Sequence, residues 1–179
     1  MTVWRTRGHR GDALEDLILL TNEYYKNHQY ALIDKASTPI KVVEIDQGGM
    51  ITKGFFEKKS TVDFVGIVQG IPVAFDAKET DLKSLPLYNI HAHQVDYMKH
   101  FTYQGGLAFI IVHFKYYDEY YLIPFELILE YFTESKKKGR QSIPYKAMAD
   151  CFRIKREHTG ILNYLPVLND YLDYKKSSF

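Results

Sequence analysis

The chain has 179 residues, 46% hydrophobic and 15% aromatic, enough apolar material for one folded domain and too much for a dominantly disordered chain. Its 23 Lys and Arg oppose 22 Asp and Glu, and its single cysteine excludes an intramolecular disulfide or a thiolate metal cluster. No run of about 18 apolar residues is present, and no apolar signal-peptide core follows the basic first ten residues, so the default reading is a soluble cytosolic protein.

Residues 12–28 read as a helix, with Leu14, Leu17, Ile18, Thr21 and Tyr24 or Tyr25 recurring at three- and four-residue spacings. Tyr30 to Asp34 reads as a short strand. Ile40 to Asp46 and Met50 to Phe56 read as a hairpin with a flexible tip at Gly48-Gly49. Val62 to Val68 and Ile71 to Ala77 are β-rich runs separated only by Gln69-Gly70, the spacing of a tight hairpin. His91 to Gln104 predicts a helix ended by Gly105-Gly106. Leu107 to Phe114 is apolar throughout, as in a strand buried on both faces. A further strand runs from Tyr117 or Asp118 to Ile123, and Pro124 opens a helix through about Phe132. After the loop Lys136-Lys137-Lys138-Gly139-Arg140, a short helix follows Pro144 and a last helix lies near Asn163 to Tyr174. The pattern predicts one domain over residues 1–179, an α/β fold with a mixed sheet flanked by helices.

The chemistry is concentrated in the tight hairpin. If Gln69-Gly70 forms the turn, Val68 faces Ile71 and, further down the ladder, Asp63 faces Asp76. Two facing carboxylates repel, so a sheet holds them together only around something cationic, and a hard divalent ion bound by oxygens is the obvious candidate. Lys78 follows two residues after Asp76, on the same face. A metal beside an ammonium is what phosphodiester hydrolysis needs. The apolar neighbours Phe64, Val65, Ile67, Val73, Ala74 and Phe75 place these carboxylates among core strands, where an unpaired charge is costly. Glu15 borders the apolar stripe of the first helix, either as a rim carboxylate at the helix start or turned inward to the same metal.

Asp63, then Asp76-Ala77-Lys78, behind a helix bearing Glu15, resembles the PD-(D/E)xK nuclease core. More closely, the chain resembles the RecU Holliday-junction resolvases. The likeness is carried by Arg10-Gly11, Leu14-Glu15, Thr21-Asn22, Tyr24-Tyr25, Lys35, Thr38-Pro39-Ile40, Lys59-Ser60-Thr61-Val62-Asp63-Phe64, Gly66, Phe75-Asp76-Ala77-Lys78-Glu79-Thr80, Leu87, His91, His93-Gln94, Gly139-Arg140 and Ser142-Ile143-Pro144-Tyr145. The resemblance implies a restriction-endonuclease-like fold and a homodimer that cuts four-way DNA junctions symmetrically with Mg2+ or Mn2+, leaving 5′-phosphates. It implies that Asp63 and Asp76 are metal ligands, Lys78 the catalytic lysine, Glu15 the helix carboxylate and Gln94 a polar residue near the site. Residues 40–57 correspond to a protruding stalk, and recombinase and branch-migration proteins are implied partners. The chain departs from the family in carrying Asp76 where Glu is usual, Val62 where Thr is frequent, and a stalk without arginine.

The remaining cations fit a nucleic-acid partner. Residues 1–10 carry +3 and residues 134–156 carry +6, around an acidic remainder of −8. Arg7, Arg10, Lys53, Lys58, Lys59, Gln94, Lys136, Lys137, Lys138 and Arg140 are the expected DNA contacts, with Lys146, Arg153, Lys155 and Arg156 behind them. His91 and His93, two apart on a helix, do not share a face and read as DNA-backbone contacts or a helix cap, not as a ligand pair. Tyr116-Tyr117 and Tyr120-Tyr121 read as packing or dimer contacts. Two rival functions remain open: a junction-binding protein that modulates strand exchange without cutting, and a general duplex nuclease of the same fold.

Overall fold

Residues 13–56, 61–150 and 152–177 are described in a computed structural model, those at 136–138, 149, 150 and 177 by backbone alone. Arg7, Arg10, Lys58, Lys59 and the side chains of Lys136, Lys137 and Lys138 lie outside the described residues, as does Cys151. The elements in chain order are α1 (Ala13–Asn27), β1 (Leu32–Lys35), β2 (Ile40–Ile45), β3 (Ile51–Phe56), β4 (Phe64–Val68), β5 (Ile71–Thr80) and β6 (Ser84–Pro86). They continue with α2 (Ala92–Tyr103), β7 (Leu107–Phe114), β8 (Glu119–Pro124), α3 (Phe125–Lys138), β9 (Ser142–Pro144), β10 (Phe152–Ile154) and α4 (Leu165–Ser177).

Six strands form the central sheet in the order β1-β4-β5-β7-β8-β10. Only β5 and β7 are parallel; the other neighbours run antiparallel, giving the mixed sheet expected from the sequence. One face is covered by α1 and α4 and gathers Leu14, Ile18, Phe64, Phe75, Phe109, Tyr164 and Tyr171. On that face Phe64, Phe75 and Phe109 stack across three strands with ring centroids 5.0 and 4.7 Å apart. The other face packs Ala74, Ile110 and Val112 against Val95 and Met98 of α2 and Ile128 of α3. Val62, the residue before Asp63, is fully buried in this second layer.

α1 begins and ends where its periodicity predicts, and Leu14, Ile18, Thr21, Asn22 and Tyr25 form its buried face. Two polar members of that stripe tie it to the chain before α4. The Leu162 N–H donates to Thr21 Oγ1 at 2.9 Å, and the Tyr164 N–H donates to the Tyr25 hydroxyl at 3.0 Å.

The β4–β5 register is the predicted one, with Val68 opposite Ile71 and Phe64 opposite Phe75. Gln69 and Gly70 have φ of 47° and 88°, the left-handed pair that a two-residue hairpin turn requires. Gly66 is needed for a different reason: a Cβ there would lie 2.2 Å from the Leu32 carbonyl oxygen and 2.5 Å from the Ile33 Cα. Gly66→Ala must therefore push β1 away from β4. A loss of about 3 kcal/mol in denaturant unfolding is the expected result, and a loss under ~0.5 kcal/mol would refute the close approach.

Several expectations change. β5 runs on to Thr80, beyond Ala77, because its parallel ladder with β7 continues to Thr80 opposite Phe114. The helix after Pro124 extends past Phe132 to Lys138 and stops only at Gly139, whose φ of 70° gives the left-handed cap. The short helix after Pro144 is a 3-10 segment (Tyr145–Asp150) between β9 and β10. β6, β9 and β10 have three residues each, too few for a period-two pattern to register.

β2 and β3 pair only with each other, and all twelve residues are exposed, so the predicted stalk stands off the main sheet. Its ladder slips around Val43, between the pairs Val42–Gly54 and Glu44–Lys53. The tip is not loose: Asp46 Oδ1 accepts the N–H groups of Gly48 and Met50 at 2.9 and 2.8 Å. Tyr120 and Tyr121 are buried on opposite faces of the sheet, and Tyr117 stacks on Tyr145 with centroids 3.9 Å apart, as packing residues.

Candidate active site

The two aspartates reach the same place by different routes. Asp76 lies within β5, opposite Ile110 of β7, and is fully buried. Asp63 occupies the bend just before β4, one residue past the last β4–β5 pair. It stays in register because its Oδ2 accepts the Ala77 N–H at 2.9 Å. Burial first, then the hydrogen bond and charge of Asp76, push the Asp63 carboxyl up to about 7, against the Ala77 N–H and the Lys78 ammonium. Without a cation Asp63 therefore keeps its proton up to near neutral pH.

Asp76 is held on both sides. Gln94 Nε2 donates to its Oδ1 at 2.8 Å, while Gln94 Oε1 accepts the His91 N–H at 3.0 Å, so one amide joins β5 to the start of α2. Lys78, two residues along the strand, places its ammonium against Oδ2 in an ion pair. That oxygen is nonetheless buried and receives no aligned hydrogen bond. A buried carboxylate oxygen without a hydrogen-bond donor, beside a second carboxylate, is a donor set for a hard cation.

The raised Asp63 value has a definite sign in stability. The folded state binds this proton more tightly than the unfolded chain, whose carboxyl titrates near 3.8. The stabilisation is complete below that value, falls as pH rises, and is gone above about 7. In EDTA, Asp63→Asn removes this dependence and should be about 2 kcal/mol more stable than the natural protein at pH 8, with little difference at pH 4.5. Thermal unfolding at the two pH values checks it; an Asn variant destabilised equally at both would refute the retained proton.

The family profile described as RecU, recombination protein U, matches residues 9–170. The chain belongs to the RecU family. It is 36% identical over 167 residues to the protein named Holliday junction resolvase RecU from Oenococcus oeni, covering 90% of this chain and 85% of that one. The Leuconostoc citreum protein of the same name is 37% identical over 174 residues, covering 94% and 84%. The Lactococcus lactis subsp. lactis protein is 36% identical over 168 residues, covering 90% and 78%. Among solved structures, Archaeoglobus fulgidus Hjc, a Holliday junction resolvase, aligns over 63% of this chain and 74% of its own with a TM-score of 0.39 and 13% identity.

Within this RecU protein, Glu15 is not gathered with the two aspartates. It forms an ion pair with Lys35 at the end of β1, and among the described residues no three His, Cys, Asp or Glu side chains converge to hold a metal. Lys35, one of the residues that carry the family resemblance, also stands at this site. The β1–β4 register sets it opposite Phe64, next to Asp63, and its ammonium is held above the usual lysine range by the hydrogen bond to Glu15, with the charges of Glu15, Asp63 and Asp16 adding to it. The signal in the sequence was a lysine closing a strand directly before the hairpin, which only the register converts into proximity.

Gln94, expected to contact DNA, is only 6% exposed and spends both ends of its amide inside the protein. Lys53 pairs with Glu44 across the stalk at 3.5 Å, and Arg140 pairs with Glu134 at 2.8 Å while lying over the Tyr131 ring. Lys53 and Arg140 remain half or more exposed, and a phosphate can displace the exposed Glu44 from Lys53 at little cost, whereas Glu134 is largely buried. Among the described residues, no helix is long and apolar enough to cross a membrane.

Proposed function

We propose that this RecU protein is a Holliday junction resolvase, an endonuclease that cuts two opposing strands of a four-way DNA junction. The observation that carries the proposal is the pair Asp63 and Asp76, with a buried Oδ2 lacking a hydrogen-bond donor and an ammonium alongside. Asp63 and Asp76 would hold Mg2+ or Mn2+; two carboxylates completed by water and substrate oxygens suit Mg2+ coordination. When bound, the ion supplies Lewis-acid polarisation of the phosphoryl group and a bound water of lowered pKa.

The chain's own groups have separable tasks. Gln94 occupies Asp76 Oδ1 and so leaves Oδ2 for the cation. Lys78, with its side chain 18% exposed, carries positive charge from the buried carboxylate toward the surface where a phosphodiester arrives. Lys35 holds Glu15 and lends positive potential to the Asp63 side. Glu15 is a third ligand only if it leaves Lys35. Arg7, Arg10, Lys53, Lys58, Lys59, Lys136, Lys137, Lys138 and Arg140 contact the DNA backbone in this reading. The protein acts as a homodimer, because a junction is two-fold symmetric and is cut at paired positions. The products carry 5′-phosphates.

The test is cleavage of a synthetic four-way junction and its matching linear duplex in Mg2+, Mn2+ or EDTA. Paired symmetric nicks in the junction that require metal are the expected result. Tight junction binding without a cut in either metal would leave a junction-binding accessory protein, and comparable cutting of the linear duplex would leave a general nuclease.

A further inference from the structure

The start of α2 carries a feature that the metal-centred chemistry does not use. His91 is the N-cap residue, and its extended backbone (φ −77°, ψ 145°) frees its side chain from the helical spacing. The rule that residues two apart do not share a helix face therefore does not apply. The rings of His91 and His93 stack with centroids 5.4 Å apart and planes at 11°. Among the described residues, neither imidazole lies within ion-pairing distance of a carboxylate, and the first turn of α2 contains no acid. The first turns of α1 and α3 do, with Glu15 and Asp16 in one and Glu126 in the other. His91 is exposed and His93 half-buried, so solvent reaches the pair.

The pair has a fixed place. Gln94 takes the His91 N–H on one side and donates to Asp76 on the other, so two hydrogen bonds of 3.0 and 2.8 Å link the His91 backbone to the carboxylate with the orphaned oxygen. A strand whose phosphodiester lay at Asp63 and Asp76 would carry its neighbouring phosphates near the start of α2, which this link ties to Asp76. Parallel stacked rings cannot both aim a nitrogen at one metal, and among the described residues no third ligand accompanies them. An imidazole has at least one N–H donor in either protonation state, so the two present donors side by side to anionic oxygens.

We infer that His91 and His93 together grip a backbone phosphate of the cut strand, next to the phosphate that is cleaved, and so set which bond reaches the carboxylates. The inference rests on the resolvase reading. Its test uses junctions in which one phosphate at a time, at the scissile position and at the two on either side, is replaced by an uncharged methylphosphonate. The double variant His91→Ser/His93→Ala keeps a capping side chain at position 91.

The expected result is a KM about tenfold higher for the variant, with kcat changed by less than about threefold. One methylphosphonate position should weaken the natural protein about tenfold and leave the variant no worse. Unaltered KM, or identical methylphosphonate penalties in both proteins at every position, would overturn it. If the double variant melts early, His93→Gln, which keeps a donor and leaves the cap untouched, should show partial loss at the same phosphate. If the natural protein binds the junction without cutting it, the resolvase reading falls. Dissociation constants on the same series then decide the grip by themselves.

Discussion

Asp76→Asn should lower metal-dependent junction cleavage by about a thousandfold, the equivalent of the ~4 kcal/mol that a well-placed cation contributes to charge stabilisation. Asparagine matches the aspartate in shape and can still accept the Gln94 Nε2–H, so the β5–α2 link survives. What disappears is the negative charge, and with it the counter-charge of Lys78 and half of the donor set shared with Asp63. Junction binding in EDTA should be unchanged or slightly tighter, because a negative charge has been removed from beneath the site that meets DNA. The rise in melting temperature on adding Mg2+ should vanish together with cleavage. A variant that cuts within tenfold of the natural rate would place the cation elsewhere. One that loses junction binding as well would make Asp76 a structural residue.

That prediction starts from a register legible in the sequence. Two β-rich runs around Gln69-Gly70 fix one ladder, and a ladder with period-two faces leaves no freedom over which residues meet. Asp63 was legible even though it lies outside the strand, because the Ala77 N–H holds it where an extended ladder would have put it. The buried run of β7 and the amphipathic stripe of α1 were legible for the same reason, a period sustained over several residues. β6, β9 and β10 were not: three residues carry no period, and these strands exist only because a partner lies alongside. Lys35 belongs to a third class. It lies in a stretch that carries the family resemblance, but its place beside Asp63 follows from β1 docking antiparallel on β4, a pairing that local spacing does not give. The histidine pair failed in the opposite direction. The helical rule was applied to a residue that caps the helix from outside it, so the expected separation became a stack.

Gln94 was legible as a residue near the site, but its task appears only in the hydrogen bonds, and they lead to the second large effect. Gln94→Ala leaves Asp76 Oδ1 buried without its donor and the His91 N–H without its acceptor. A hydrogen bond to a buried charged group is worth about 1.5–3 kcal/mol, so a fall of roughly 4–10 °C in melting temperature is expected. Cleavage should fall by about 10–100-fold, the usual cost of removing a partner that orients a metal ligand, and the Mg2+ concentration for half-maximal rate should rise about tenfold. Gln94→Glu separates the two halves of the amide. It keeps an acceptor for His91 but sets a carboxylate against Asp76, so at pH 8 its cleavage should be at least as impaired as that of Gln94→Ala. Raising Mg2+ should recover part of the rate in both variants, because the carboxylates are still present and only their orientation has been lost. A Gln94→Ala protein with the natural Mg2+ dependence and lower affinity for the junction would return Gln94 to the role of a DNA contact.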